Sequence, residues 1–254
     1  MLAHNVKSIG DGWEFEKQKF NMSTKVDLFT NVEGLDVSPT IANAMLSAAG
    51  NVLVACEESQ EVCKAFRNLG IEAYSCDIIP CSGGHSEWHL QMDVFKAIEK
   101  YEWEMMIAFP PCTYLTTTAN RSFLNNPERW EKRLQAVKFF HRLLNAPIDK
   151  IAIENPKGVI STHIRKPDQY IQPYHFGHRD SKMTGIWLKG LPPLEPTNIV
   201  EPEWIISPFG KRHSKTHWQN PSTNNPDNAR LRSKTYPGIA KAMAEQWSPF
   251  VGSR

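Results

Sequence analysis

Asn51-Val52-Leu53-Val54-Ala55-Cys56-Glu57-Glu58-Ser59 is the stretch on which the reading of this chain turns. A short apolar run ends in polar residues, and Ser59 is placed to cap a helix from Gln60 to Asn68 that Gly70 closes. Ile71 to Cys76 then reads as a second strand. Strand, helix and strand at this spacing form a β-α-β unit, which predicts a parallel sheet with a right-handed crossover. The expected fold is therefore α/β, a Rossmann-like and mostly parallel sheet.

Working outward, Glu104 to Phe109 is a further apolar strand that runs into Pro110-Pro111-Cys112-Thr113. Two prolines cannot continue a ladder, so Cys112 is expected on a stiff turn at the carboxyl end of a strand. Lys150-Ile151-Ala152-Ile153 ends in the same manner, in Glu154-Asn155-Pro156. Parallel sheets expose reactive groups outside the carboxyl ends of their strands, so the cysteine and the carboxylate are expected to face one crevice. Asp77 closes the second strand, where an acid is suited to accept both hydroxyls of a ribose or to act as a strand-end cap. Asp93 is placed to cap a helix from Val94 to Lys100, to reach a cofactor base, or to do both.

The 254 residues suffice for one α/β domain with a small appendage. Hydrophobic content of 41% with 22% charged residues is that of a globular protein, and a net charge of +2 means that any nucleic acid must be held by a local basic patch. No run approaches the ~18 apolar residues of a membrane span and no signal pattern opens the chain, so a cytoplasmic protein is expected, with a monomer favoured. Cys56, Cys63, Cys76 and Cys81 lie close in sequence without zinc-type Cys or His pairs, and are expected to be apolar fillers and not metal ligands.

Residues 1–49 read as an N-terminal extension with a helix from Ile41 to Ala48. Pro127 to Asn145 reads as a long helix whose Trp130, Leu134, Val137, Phe140 and Leu144 are expected in the core. Met183 to Leu188 is a further strand candidate and Ile239 to Trp247 the last helix. Between them, residues 195–232 form a Pro-rich basic insertion expected to be irregular, leaving 50–194 and 233–250 as the main domain.

Phe109-Pro110-Pro111-Cys112, Glu154-Asn155-Pro156, the Asn51–Ser59 loop, Asp77, Asp93 and Tyr236-Pro237-Gly238-Ile239-Ala240 stand in an order that resembles the DNA cytosine-5 methyltransferases. The likeness covers residues 51–247. The compact form, with Gln172-Pro173-Tyr174-His175-Phe176-Gly177, looks like the small methyltransferase-like proteins of bacteriophages and prophages. The resemblance implies a class I methyltransferase-like sheet and S-adenosylmethionine as cofactor, held by Cys56, Glu57, Ser59, Asp77, Ile78, Asp93, Val94 and Pro110. It implies DNA as substrate, Cys112 as the nucleophile that adds to C6 of a flipped cytosine, Glu154 holding N3 and the exocyclic amine, Asn155 orienting loop or base, and Lys182 assisting. Lys182, Arg121 or Arg179 is expected to favour the thiolate. Contacts to nucleic acid fall to Arg121, Arg179, Lys211, Arg212, Lys215 and Arg230.

The chain departs from the family in three places. Ala55-Cys56-Glu57-Glu58 stands where glycines usually let backbone approach the cofactor, and the adjacent carboxylates are expected to meet the donor's amino group. The Gln-x-Arg-x-Arg motif is missing near Ser181 to Gly185, and the insertion that reads DNA is short. A same-scaffold enzyme acting on free pyrimidine nucleotides or RNA, and a non-catalytic nucleic-acid-binding or decoy protein, are the alternatives. A cysteine hydrolase using His175 or His178 is a weaker one.

Overall fold

The computed structural model describes residues 51–117, 120–215, 218, 228 and 232–252. The expected N-terminal extension and Arg230 lie outside the described residues. The central sheet is built on β1 (Val52–Ala55) and β4 (Met105–Ala108), in which every residue is buried. Both are continuous apolar runs, as strands covered on two faces must be.

β1 pairs in parallel with β2 (Ala73–Asp77) on one side and with β4 on the other, Val52 standing opposite both Ala73 and Met105. β3 (His89–Gln91) extends the sheet beyond β2, and β5 (Lys150–Pro156) beyond β4, again in parallel. β7 (Thr184–Lys189) then runs antiparallel between β5 and β6 (Gln169–Ile171). The strand order is β3-β2-β1-β4-β5-β7-β6, a mostly parallel sheet compatible with a Rossmann-like fold. Order reverses between β1 and β4, which opens a crevice at their carboxyl ends.

Alternate residues of each strand feed separate cores. Val52, Val54, Met105 and Ile107 pack with Val62 and Phe66 of α1 (Glu61–Arg67) and with Ile239, Met243 and Trp247 of α5 (Pro237–Trp247). Leu53, Ala55, Met106 and Ala108 face Val94 and Ala97 of α2 (Val94–Lys100) and Phe140 and Leu143 of α3 (Pro127–Leu144). Val159 and Ile160, at the start of the short α4 (Ile160–His163), complete this second layer. Among the described residues no helix is long and apolar enough to cross a membrane.

Several local expectations are corrected. Ser59 does not cap α1; Gln60 occupies the cap position without a side-chain cap bond, and the carboxylate of Glu57 reaches the first-turn amides instead. β5 does not end at Ile153, because β7 continues to pair with it through Pro156 after β4 has turned away. In α3, Trp130 and Leu134 are exposed while Arg133 is buried. The first turns of this helix cover the loop after Cys112, and the Arg133 guanidinium donates to the carbonyls of Tyr114 and Thr116 and to Asn120. The insertion is not wholly irregular, since β8 (Trp204–Ile206) and β9 (Arg212–Ser214) form a hairpin.

Candidate active site

The loops after β4 and β5 are held together by named contacts. Asn155, 1% exposed, donates from Nδ2 to the carbonyl of Pro110 at 2.9 Å. The amide of Val159 donates to the carbonyl of Leu115 at 2.8 Å. Gly158 permits that approach, since a Cβ there would lie 2.1 Å from the Leu115 oxygen. The turn itself is closed by Leu115 and Thr116 amides donating to the Cys112 carbonyl. Cys112 is left exposed at the crevice.

Glu154 and Lys182 lie close enough to act on that thiol. Partial desolvation by the surrounding chain and then the Glu154 charge raise the Cys112 pKa, while Lys182 and Arg232 pull it down. Burial raises Glu154 in turn, against Lys182 and the Thr184 hydroxyl. The structure thus brings Cys112, Glu154, Asn155 and Lys182 together. The cations bearing on the thiol are Lys182 and Arg232 in place of Arg121 or Arg179. Arg232 closes the 195–232 insertion in sequence, and only the return of the chain to Lys182, whose Nζ donates to the Arg232 carbonyl at 2.9 Å, reveals this position.

Glu154, Lys182, Thr184, Lys234 and Tyr236 line a cavity of about 10 Å³, space for about one water molecule. Its wall is fixed from behind, because the Tyr236 hydroxyl donates to the buried Asp180 carboxylate and the Gly238 amide donates to Nε2 of His178 at 2.8 Å. A Cβ at Gly238 would lie 2.0 Å from the Phe176 carbonyl oxygen, so close approach demands glycine. Tyr236 and Ile239, from the last segment of the resemblance, line the Glu154 cavity.

At the other end of the crevice, Asp77, Cys76 and Asp93 all raise the Cys56 thiol, after burial as the largest cause. Asp77 accepts from the Ile79 amide at 3.3 Å, and burial raises its carboxyl. Asp93 caps α2 as expected, accepting from the Phe95 and Lys96 amides. Ile78 is 64% exposed beside Asp77, whereas Ser59, Val94 and Pro110 are buried. The loop without glycines nevertheless takes glycine's backbone, with φ of 58° at Cys56 and 59° at Gln60. Such angles cost roughly 1–2 kcal/mol in an ordinary residue. The fully buried Gln60 side chain holds its position by donating to Ser75 and to the His85 carbonyl while accepting from the His85 amide. Gly83 packs against it with no room for a Cβ. Gln60 was not singled out from the sequence, and no local signal marks it.

Glu57 is not free to meet a donor's amino group. Its Oε1 accepts from the Val62 amide at 2.7 Å and its Oε2 from Cys63 at 3.2 Å, deep under α1. Burial pushes its carboxyl from 4.5 up to about 7. Between those values the native chain keeps a proton that the unfolded chain has lost. The associated stability is therefore full at low pH and falls as pH rises through about 7, by about 3 kcal/mol in all. Glu57→Gln is expected to abolish this slope in urea-unfolding midpoints measured from pH 4.5 to 7. An unchanged slope would assign the proton elsewhere.

The basic candidates divide. Arg179 and Lys215 share the Glu203 carboxylate, at 3.5 and 3.0 Å, and Arg179 also donates to the Glu201 carbonyl. Arg121 is exposed on a short 3-10 turn, and Lys211 and Arg212 are exposed on the hairpin. Among the described residues no group of three or more His, Cys, Asp and Glu side chains is placed to hold a metal ion.

Comparison with known protein families and with curated proteins found no match.

Proposed function

We propose that this protein is a DNA cytosine-5 methyltransferase with a class I methyltransferase-like fold. The observation that carries the reading is the junction of the β4 and β5 ends, where Asn155 ties Pro110 down and Cys112 shares one electrostatic site with Glu154 and Lys182. A strand order that reverses beside this junction supports it.

Cytosine C5 is a weak nucleophile until a thiolate adds at C6. The Cys112 sulfur forms the S–C6 bond, the C5=C6 electron pair moves toward C4, and the C4=N3 pair takes up a proton at N3 from Glu154. A carboxyl raised by burial is suited to that donation. C5, now an enamine carbon, would take a methyl from the bound sulfonium, whose S–CH3 bond would break to leave a neutral thioether. Loss of the C5 proton to water reforms C5=C6 as the S–C6 pair returns to Cys112, and N3 gives its proton back to Glu154. A base paired in a duplex must leave the stack before C6 meets the thiol.

The residues at the far end of the crevice fit the adenosine half of S-adenosylmethionine. Asp77 carries a carboxylate suited to a ribose diol, Asp93 stands at the next strand end, and the exposed Ile78 offers an apolar face to a purine. When bound, the cofactor supplies a methyl group activated on a sulfonium. Asp77→Ala is expected to weaken its binding on the order of 30-fold, the worth of hydrogen bonds to a charged acceptor, as read by calorimetry.

The deciding experiment is incubation with S-adenosylmethionine and duplex DNA carrying 5-fluorocytosine. Fluorine cannot leave C5 as a proton does, so a denaturation-resistant protein-DNA adduct is expected. Absence of the adduct despite cofactor binding would overturn the reading.

A further inference from the structure

α3 carries apolar residues that the core of its own chain does not absorb. Trp130, Leu134, Val137, His141 and Leu144 follow one another at steps of four, three, four and three residues, the a/d spacing of a coiled-coil seam. The buried side of the helix is a different one, formed by Arg133, Phe140 and Leu143. Along the seam Trp130 and Leu134 are 54% and 46% exposed, His141 is exposed, and Val137 and Leu144 are half-buried. At its carboxyl end the seam runs into an open groove of about 390 Å³, walled in part by His141, Leu144, Ile164 and Leu188.

The charges beside the seam indicate what covers it. Glu131 and Lys138 stand one heptad apart, each directly after a seam residue, and both are exposed. Glu131 accepts from the neutral Gln135 amide at 3.2 Å, and Glu128 is already paired with Lys132. Among the described residues neither Glu131 nor Lys138 is in an ion pair. Antiparallel packing of two copies of α3 layers Trp130 on His141 of the second copy and Leu134 on its Val137. The same register sets Glu131 beside Lys138 of the second copy, and a two-fold axis makes every such contact twice.

We infer that this face of α3 is a homodimer interface, in which two copies pack antiparallel along the seam and close two reciprocal Glu131–Lys138 ion pairs. Trp130 is the anchor, a side chain whose ring is braced from behind by Phe123 at 5.3 Å and by the Arg133 guanidinium, and it enters the groove beside His141 and Leu144 of the second copy. A free helix of two heptads would not sustain the pairing, because it would have to be ordered first. α3 is already folded against its own sheet, so that cost falls within the chain. The assembly is a dimer and not the monomer that the sequence favours, and it is independent of the function proposed above.

The test is sedimentation equilibrium of the full chain, which needs neither DNA nor cofactor. Wild type is expected to form a concentration-dependent dimer, and Leu134→Lys, in the middle of the seam, to stay monomeric at the same concentrations. Glu131→Lys and Lys138→Glu are each expected to weaken self-association by on the order of tenfold, since both reciprocal contacts then join like charges. An equimolar mixture of these two variants is expected to recover the wild-type affinity, because every contact between them again joins opposite charges. All three substituted positions are exposed, so the fold is kept, as checked by the unfolding midpoint. A monomeric wild type, or a dimer indifferent to Leu134→Lys, would overturn the interface. A mixture that associates no better than either variant alone would overturn the antiparallel register.

Discussion

Cys112→Ala is expected to lose at least about 10⁴-fold in methyl transfer and to keep its affinity for S-adenosylmethionine. The asymmetry follows from where the residue stands. Its side chain is exposed and fills no core, and the bonds that close the turn use its backbone carbonyl, which alanine retains. The acids proposed for the cofactor lie around Cys56, at the end of a different strand. Loss of rate therefore reports on the reacting thiol and not on folding or cofactor binding. Labelled methyl transfer to duplex DNA measures the first quantity, and calorimetry with the cofactor the second. A variant within tenfold of wild type would exclude covalent addition.

Glu154→Gln is expected to slow transfer by about 10³-fold, because the amide keeps the shape of the side chain but cannot give N3 a proton. Its pH dependence is the sharper diagnostic. The proposed reaction needs Cys112 ionised and Glu154 protonated, and burial raises both groups, opposing the first and favouring the second. As pH rises, the gain in thiolate is opposed by the loss of protonated carboxyl, so the wild-type rate is expected to rise less steeply with pH than that of the glutamine variant. With glutamine only the thiol titrates, and the residual rate is expected to climb about tenfold per pH unit. Single-turnover rates across neutral pH distinguish the two profiles. A wild-type rate that rises as the variant's does would remove Glu154 as the proton donor.

Much of this arrangement was legible in local pattern. Val52–Ala55, Met105–Ala108 and Lys150–Ile153 are apolar runs that only a sheet buried on both faces accommodates, and they form the parallel core of the sheet. Asp93 caps the helix that follows it, because cap, helix and spacing lie within one turn. Cys112 follows the end of β4 as its prolines foretold, whereas Glu154 lies inside β5 and not beyond its end, yet its charge still bears on the thiol. The face of α3 was misread, since its first turns bury Arg133 against a loop and not an apolar residue against the sheet. β6 was not recognised at all: its three residues lie between prolines and gain strand geometry only by pairing with β7.

What the sequence determined by itself was the sheet class, the order of the main elements and the chemical groups at the strand ends, since each is written in neighbouring residues. Tertiary structure decided how those groups are used. Glu57 became a buried cap for α1 once the Cys56 turn brought its carboxylate beneath the helix. Arg232 joined the thiol because the insertion returns to Lys182. Asn155 became the tie between two loops because β4 and β5 are neighbours in the sheet. Each of these roles depends on a partner brought near by the chain's path through space, and hydrogen bonds and charges act over a few ångströms whatever the separation along the chain.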